Sequence, residues 1–398
     1  MTRLRPATVL NVHIYPSVLT NESRILKITS SLARCAVFKQ IAVIGLWKAG
    51  LDRRVEVGSG IELVRIPARS PAGLGGVIAK LLKAGSWHAG VLASLRGREV
   101  ACINCHSLSV LPLSVLIKWW KRCTLVYDPH ELETETRGLR GKAQSLARIV
   151  ERTLIGQANA VCVVNASIAR WYQQRYGLDK VWVVRNVPVR MTSTPLRQGM
   201  LRQRIGLAEM TDGKLFIYQG LLAPGRGIDV LIDAFRQLPQ HHVVFMGYGE
   251  MQDRVLAASA ELANVHFVPA VPPGEIRDYT SDADAGIALI ENECLSYYLC
   301  LPNKLFEYAH SGIPSIVSDF PEMASFVQET GSGWITATDA DALIALIRSL
   351  DPQAWATRQQ QAATCGALYG WQEEEPTLLD MYAGLGFAAS AMVQPGRS

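Results

Sequence analysis

Short apolar runs alternate with helical patterns along almost the whole chain, and that alternation breaks only once. Strand candidates in the first half are Val9–Tyr15, Ile41–Trp47, Ile61–Ile66, Ala101–Asn104, Cys123–Tyr127, Ala160–Val164 and Val181–Val184. Helical spacing separates several of them, as in Ile25, Ile28 and Leu32. Such alternation predicts a parallel sheet covered on both faces. Polar residues and Pro then cluster over 186–204, the best candidate for a linker. The pattern restarts with Lys214–Gln219, His242–Met246, Val265–Val268, Ala285–Leu289 and Ile313–Val317.

A chain of 398 residues exceeds one ordinary core. The expected fold class is therefore α/β, with two doubly wound parallel-sheet domains of Rossmann-like type, spanning 1–190 and 191–370. A terminal helix is expected in 371–398. Ligands of such sheets bind at the carboxyl ends of the strands, and two facing domains create a cleft.

No apolar stretch is long enough to span a bilayer. Arg3 and Arg5 open the chain, but Asn11 and His13 interrupt the apolar run behind them, which a signal-peptide core does not tolerate. Most of the eight cysteines sit inside apolar runs, as Cys123 and Cys162 do, and suit reduced thiols in a cytoplasmic protein. The net charge of +5 is unevenly placed. Between Ile61 and Val126 nine Lys or Arg face two Glu, a local charge of +7. A one-sided basic segment suits an anionic partner such as a membrane surface, or is a solvated face with none. Within it, Ile78, Leu81, Leu82, Leu92 and Leu95 lie beside Lys80, Lys83, Arg96 and Arg98, although Gly85 and Gly90 interrupt the helical pattern. Trp119, Trp120, Lys121 and Arg122 form either a membrane-interface edge or a helix end closed by cations.

Two segments have the character of phosphate-handling elements. Gly220 follows a strand, and Arg226 and Gly227 precede a helix opening near Ile228. A loop feeding a helix N-terminus attracts anions through free N–H groups and the helix dipole, and Arg226 adds full charge. In the second, Pro302 and Asn303 suit a helix start, with Lys304 and Glu307 in its first turns and Gly312 at its end. Lys304 and Glu307 alone also read as an ordinary surface ion pair. No Gly-x-Gly-x-x-Gly follows the first strand, which argues against a dinucleotide oxidoreductase. Cys102-x-x-Cys105 runs off an apolar strand and reads as buried structure. Of two Asp-Ala-Asp triplets, the one at 282–284 lies between a helix and a strand and the one at 339–341 at a helix start, where Asp acts as a cap, so no metal is expected.

Together these segments resemble the donor domain of glycosyltransferase family 4, the large retaining GT-B family. The resemblance rests on Gly220, Arg226 and Gly227, on Gly247-Tyr248-Gly249 after the next strand, and on Pro-Asn-Lys-Leu-Phe-Glu-Tyr at 302–308 before Ser-Gly-Ile-Pro. In the first half Asn21–Leu32, "INCHSLSVLPL", "LVYDPHELETE" and "ERTLIGQANAVCVVNASIARWYQQRYG" are similar to one branch of the family. "YGWQEEEPTLLDMY" resembles the tail helix that returns to the N-terminal domain. The similarity spans about residues 8–385.

The resemblance implies a GT-B fold and transfer of a sugar from a nucleotide diphosphate donor, with no cofactor. It assigns the diphosphate to Arg226 and Lys304 and the ribose hydroxyls to Glu307. It places Gly220, Gly227, Gly247, Tyr248, Gly249, Pro302, Asn303 and Leu305 around the donor. His106 falls beside the transferred sugar, with Asp128, His130 and Glu131 on the acceptor side. Two positions depart from the family pattern. Leu221 stands where many members carry Arg, and Leu299 where many carry a Glu against the donor sugar, the nearest upstream acids being Glu291 and Glu293. The expected partners are a nucleotide sugar, a glycan or lipid-linked acceptor and an anionic membrane surface through 61–126, with no nucleic acid. A nucleotide-sugar 2-epimerase and a non-catalytic nucleotide-sugar-binding subunit share the architecture.

Overall fold

The computed structural model describes residues 10–20, 22–71, 75–190, 198–209 and 212–388. Arg3, Arg5, Val9, Asn21 and the linker stretch 191–197 lie outside them. The chain divides into two units, 1–185 with 374–398, and 186–373.

The first unit runs β1 (Leu10–Ile14), α1 (Ser23–Arg34), β2 (Gln40–Leu46), β3 (Arg54–Glu56), β4 (Ile61–Ile66), α2 (Gly76–Ser94), β5 (Val100–Cys105), α3 (Leu111–Lys121), β6 (Thr124–Tyr127), α4 (Gly141–Leu154), β7 (Ala160–Val163), α5 (Ala166–Tyr176) and β8 (Trp182–Val183). Its strands lie in the order β3-β4-β2-β1-β5-β6-β7-β8, all parallel except β3. The central strands are buried along their full length, which is why they read as unbroken apolar runs. Asn165 caps α5 by accepting from the Ile168 N–H at 2.8 Å, and Gly177 ends it with φ +65°. Gly90 sits inside α2, against Ile66. A Cβ there would come 2.5 Å from Ile66 Cγ2, so the glycine that interrupts the helical pattern also lets the helix close onto β4.

The second unit holds α6 (Met200–Arg204), β9 (Leu215–Leu221), α7 (Ile228–Arg236), β10 (His242–Tyr248), α8 (Gln252–Glu261), β11 (Val265–Pro269), α9 (Ile276–Thr280), β12 (Ala285–Ala288), α10 (Leu295–Tyr298), α11 (Asn303–His310), β13 (Ser315–Ser318), α12 (Pro321–Thr330), β14 (Gly333–Thr336), α13 (Ala340–Ser349) and α14 (Pro352–Leu368). Its parallel sheet has the order β11-β10-β9-β12-β13-β14. Leu215 and Ile217 of β9 enter one apolar cluster, and Phe216 and Tyr218 enter another. The period of two thus sends alternate side chains into cores on both faces. A last helix, α15 (Trp371–Gly384), carries Leu378, Met381 and Tyr382 into the first unit's buried interior.

Candidate functional site

In the second unit the strand order reverses between β9 and β12, and such a switch point leaves a crevice at the carboxyl ends of the two strands. Gly220 nears the end of β9 with φ +116°, a backbone that side chains resist. Gly247 pairs with it on β10, and a Cβ on Gly247 would lie 1.9 Å from the Gly220 carbonyl oxygen. Gly227, at φ +69°, starts α7, and its N–H donates to Glu291 Oε1 at 3.2 Å. The Glu291 N–H donates back to the Gly225 carbonyl at 3.0 Å, which ties the loop after β9 to the loop after β12.

Two cations occupy this corner. The Arg226 guanidinium lies 4.5 Å from the centroid of the Tyr297 ring, and its buried Nε has no hydrogen-bond partner. A buried unpaired donor costs about 1–3 kcal/mol, which an incoming anion would recover. Lys304, in the first turn of α11, holds its ammonium 3.7 Å from the Tyr218 ring centroid. Burial, and then Arg226, bring its pKa down to about 7, with Glu307 only partly offsetting them. Glu307, one turn further along α11, accepts from Gln219 Nε2 at 2.5 Å, and Gln219 Oε1 accepts from Thr280 Oγ1 at 2.6 Å. The corner therefore offers two crowded cations, a helix N-terminus and a fixed carboxylate, an arrangement suited to a phosphorylated ligand with a neighbouring diol.

The first unit has its own switch point, between β1 and β5, and a buried polar network fills it. His13 Nδ1 and His106 Nε2 are 2.8 Å apart, with the rings stacked. His106 Nδ1 lies 3.1 Å from Asp128 Oδ2 and 3.2 Å from His130 Nε2. Asp128 also accepts from Arg24 Nη2 at 2.6 Å and Nε at 3.1 Å. On the other side Asn104 Nδ2 lies 3.3 Å from His13 Nε2, and Tyr382 of α15 donates to Asn104 Oδ1 at 2.6 Å. Burial alone would raise the Asp128 carboxyl, but Arg24 and the hydrogen bond from His106 hold it below the usual carboxylate range. Burial keeps His13 neutral, and lowers His130 to about 3 against the pull of Asp128. An internal cavity of about 10 Å³, room for one water, is lined by Asn104, His106, Asp128, Cys162 and Tyr382 among others. Burial, and then Glu131, push the nearby Glu133 carboxyl up to about 8.

The structure thus gathers Gly220, Arg226, Gly227, Lys304 and Glu307 at one corner, with Gly247, exposed Tyr248 and Gly249 at the adjoining end of β10. Pro302 caps α11 and Asn303 begins it. The Leu305 side chain is 1% exposed and points into the core with Leu215, Ile217 and Phe306, because it lies on the inner face of α11. His106 and Asp128, expected against the sugar and acceptor, are 1% and 2% exposed and engaged with each other; partly buried His130 and exposed Glu131 are the more accessible members of that group. Asp282 accepts from the Gly199 and Leu201 N–H groups, Asp284 pairs with Lys214 and Arg202, and Asp339 caps α13. One donor atom from each of His106, Asp128 and His130 lies within 4.8 Å of the others, a spacing a cation can bridge, but Arg24 already holds Asp128 through two nitrogens. Sequence reasoning passed over Tyr218, Gln219, Thr280, Tyr297, Arg24 and Glu133. The polar residue Gln219 at the end of an apolar strand was the available signal for the Glu307 support.

Residues 213–351 match the family described as glycosyl transferases group 1. The chitobiosyldiphosphodolichol beta-mannosyltransferase of Kluyveromyces lactis is 23% identical over 293 residues, covering 65% of this chain, and this chain spans 64% of that relative's length. Among solved structures, the sucrose-phosphate synthase of Thermosynechococcus elongatus superposes with a TM-score of 0.77 at 15% identity, covering 95% of this chain and 99% of that one. The Anabaena protein HepE, in complex with UDP-glucose, superposes at 0.71 and 15% identity, covering 94% and 99%. WaaG, a glycosyltransferase involved in lipopolysaccharide biosynthesis, superposes at 0.62 and 13% identity, covering 96% and 100%. The fold is that of the GT-B glycosyltransferases, and Gly220, Arg226, Lys304 and Glu307 all fall within the segment that matches glycosyl transferases group 1.

Proposed function

We propose that the protein transfers a sugar from a nucleoside diphosphate sugar to a glycan or lipid-linked acceptor in the cytoplasm, with retention at the anomeric carbon and without a divalent metal. The observation that carries this reading is the pairing of Arg226 and Lys304 at the β9–β12 switch point, where the buried Arg226 Nε has no hydrogen-bond partner and burial and Arg226 lower the Lys304 pKa. Breaking a nucleotide–sugar bond places negative charge on the departing diphosphate, and fixed cations at a helix N-terminus neutralise it in place of a metal. Glu307, braced by Gln219, accepts from the ribose hydroxyls. Retention follows from front-face attack, in which a departing phosphate oxygen helps to take the acceptor proton. The likeness to HepE with UDP-glucose supports a nucleotide-sugar donor, and the likeness to WaaG supports a role in cell-surface glycan assembly. The yeast relative is named for a β-mannosyl product, so the anomeric configuration of the product is the first thing to measure.

The test incubates the protein with labelled nucleotide sugars, with and without membrane extract, in excess chelator. Label entering a glycan or lipid fraction with the donor's anomeric configuration is expected. Inversion removes the retention claim, and loss of turnover that Mg²⁺ or Mn²⁺ restores removes the metal claim. Epimerised sugar nucleotide without acceptor makes the protein an epimerase instead.

A further inference from the structure

Fifteen large apolar side chains are exposed among the described residues, and nine of them lie on three consecutive helices of the first unit. α2 presents Val77, Ile78, Leu81 and Leu82, α3 presents Leu116, Trp119 and Trp120, and α4 presents Leu146 and Ile149. Their exposures run from 43% to 72%. The strand order brings these helices to one side. The steps β4 to β5, β5 to β6 and β6 to β7 all move the same way across the sheet, so right-handed crossovers place α2, α3 and α4 on one face, opposite α1. On α3 the exposed residues Pro112, Leu116, Trp119 and Trp120 follow helical spacing and form one outward stripe, and α4 packs beside it.

The charge on this face is mostly of one sign, with Arg148 already paired to Glu135 at 2.6 Å. The three helices carry seven Lys or Arg and one acid, Glu151. That acid is buried and accepts hydrogen bonds from Tyr127, Tyr172 and Tyr176, so it does not offset the cations outside. The Lys121 ammonium stands 4.1 Å from the Trp120 ring centroid, at the rim of the apolar stripe. Apolar surface gathered this densely on a folded chain marks an interaction site. Tryptophan settles at the headgroup level of a bilayer, aliphatic side chains enter the acyl boundary, and Lys stems reach back to lipid phosphates. We propose that the outer face of α2, α3 and α4 docks on an anionic lipid bilayer.

This assignment refines the basic segment 61–126. Arg65 takes no part, since it is buried and donates to the carbonyls of Val18, Leu19 and Asp52. α4, beyond that segment, joins it. The inference is independent of sugar transfer, because it needs only this face.

Co-sedimentation of the full chain with phosphatidylcholine vesicles, with and without phosphatidylglycerol, tests it. The protein is expected to partition at least about tenfold more strongly onto the anionic vesicles, and added salt should weaken that preference. Lys80→Gln with Lys83→Gln should lower binding by about tenfold. Trp119→Ala with Trp120→Ala should lower it by a similar factor, and Leu256→Ala, on α8 of the second unit, should leave it unchanged. Circular dichroism checks that each variant is folded. Equal binding to both vesicle types, or full binding by both double variants, overturns the proposal. A dimer that Trp119→Ala with Trp120→Ala abolishes, in a protein that ignores vesicles, gives the face to a second copy and overturns it as well.

Discussion

The Lys304 ammonium rests 3.7 Å from the centre of the Tyr218 ring, a strand residue sending its aromatic face toward the first turn of the neighbouring helix. This contact holds a cation where little solvent reaches it, while Arg226 repels it, and its pKa falls to about 7. The pair is primed for an anion. Diphosphate binding should raise the Lys304 pKa, so binding near pH 8 should take up protons. Affinity should then fall as pH rises through about 7 toward the higher pKa of the bound state. Calorimetry in buffers of different ionisation enthalpy reads the proton count, and Lys304→Arg should abolish the uptake, because Arg stays charged throughout.

Glu307 should act chiefly on donor affinity. Glu307→Gln keeps the shape but loses the charge on the acceptors, worth about 1.5–3 kcal/mol for hydrogen bonds of this type. The donor KM should rise about ten- to a hundredfold with a smaller change in kcat, the mark of an interaction made equally in ground and transition states. Gln219→Leu should shift KM in the same direction by a smaller factor, since it removes one partner that orients the carboxylate but keeps the carboxylate itself. Steady-state kinetics with varied donor distinguish these effects.

The histidine network should make the first unit acid-labile. His13 and His130 are held neutral in the fold, with pKa values below that of an unfolded histidine. Their contribution to stability is therefore complete above about pH 6.5 and is lost as pH falls toward the folded values, by about 1.4 kcal/mol per pH unit for each histidine. Melting temperature should drop between about pH 6.5 and 5, and His13→Gln should flatten that slope.

His106→Ala should cost both stability and turnover. The ring is buried between His13, Asp128 and His130, and its removal strips hydrogen-bond partners from all three. A loss of about 2–4 kcal/mol would lower the melting temperature by roughly 4–16 °C for a unit of this size. Turnover should fall at least about tenfold if His130 depends on that support. An unchanged melting temperature with normal turnover would show that the network holds nothing in place.

Much of this was readable from the residues because the sheets are buried on both faces. A fully buried strand leaves a continuous apolar run, so Ile61–Ile66 reads with its observed limits and Gln40–Leu46 to within a residue. β3 and β14 were missed. Arg-Val-Glu at 54–56 is too short and too charged to read as a strand, and exists through antiparallel pairing with β4. Gly-Trp-Ile-Thr at 333–336 opens with a residue that reads as a turn, yet Gly333 is required there, since a Cβ would meet the Ser315 carbonyl at 2.0 Å. At the corner between β9 and β12, loop and helix-start chemistry pointed to Arg226 and Lys304. The partners Tyr218, Thr280 and Tyr297 come from tertiary packing and left no local signal. The same holds for His13. Asn11 and His13 stood out only as polar interruptions of an apolar strand, and their meaning appears when β1 is set beside β5. Leu305 is a motif residue whose side chain belongs to the core.

The measurement closest to the central claim is calorimetric titration of UDP, GDP and ADP, in excess chelator, into the wild-type protein and the Arg226→Ala and Lys304→Ala variants. At least one nucleotide should bind the wild type without metal, and both variants should weaken it at least about tenfold while keeping the wild-type circular dichroism. Binding that appears only with Mg²⁺ or Mn²⁺, affinity unchanged in both variants, or no binding of any nucleotide would contradict a diphosphate held at the corner between β9 and β12.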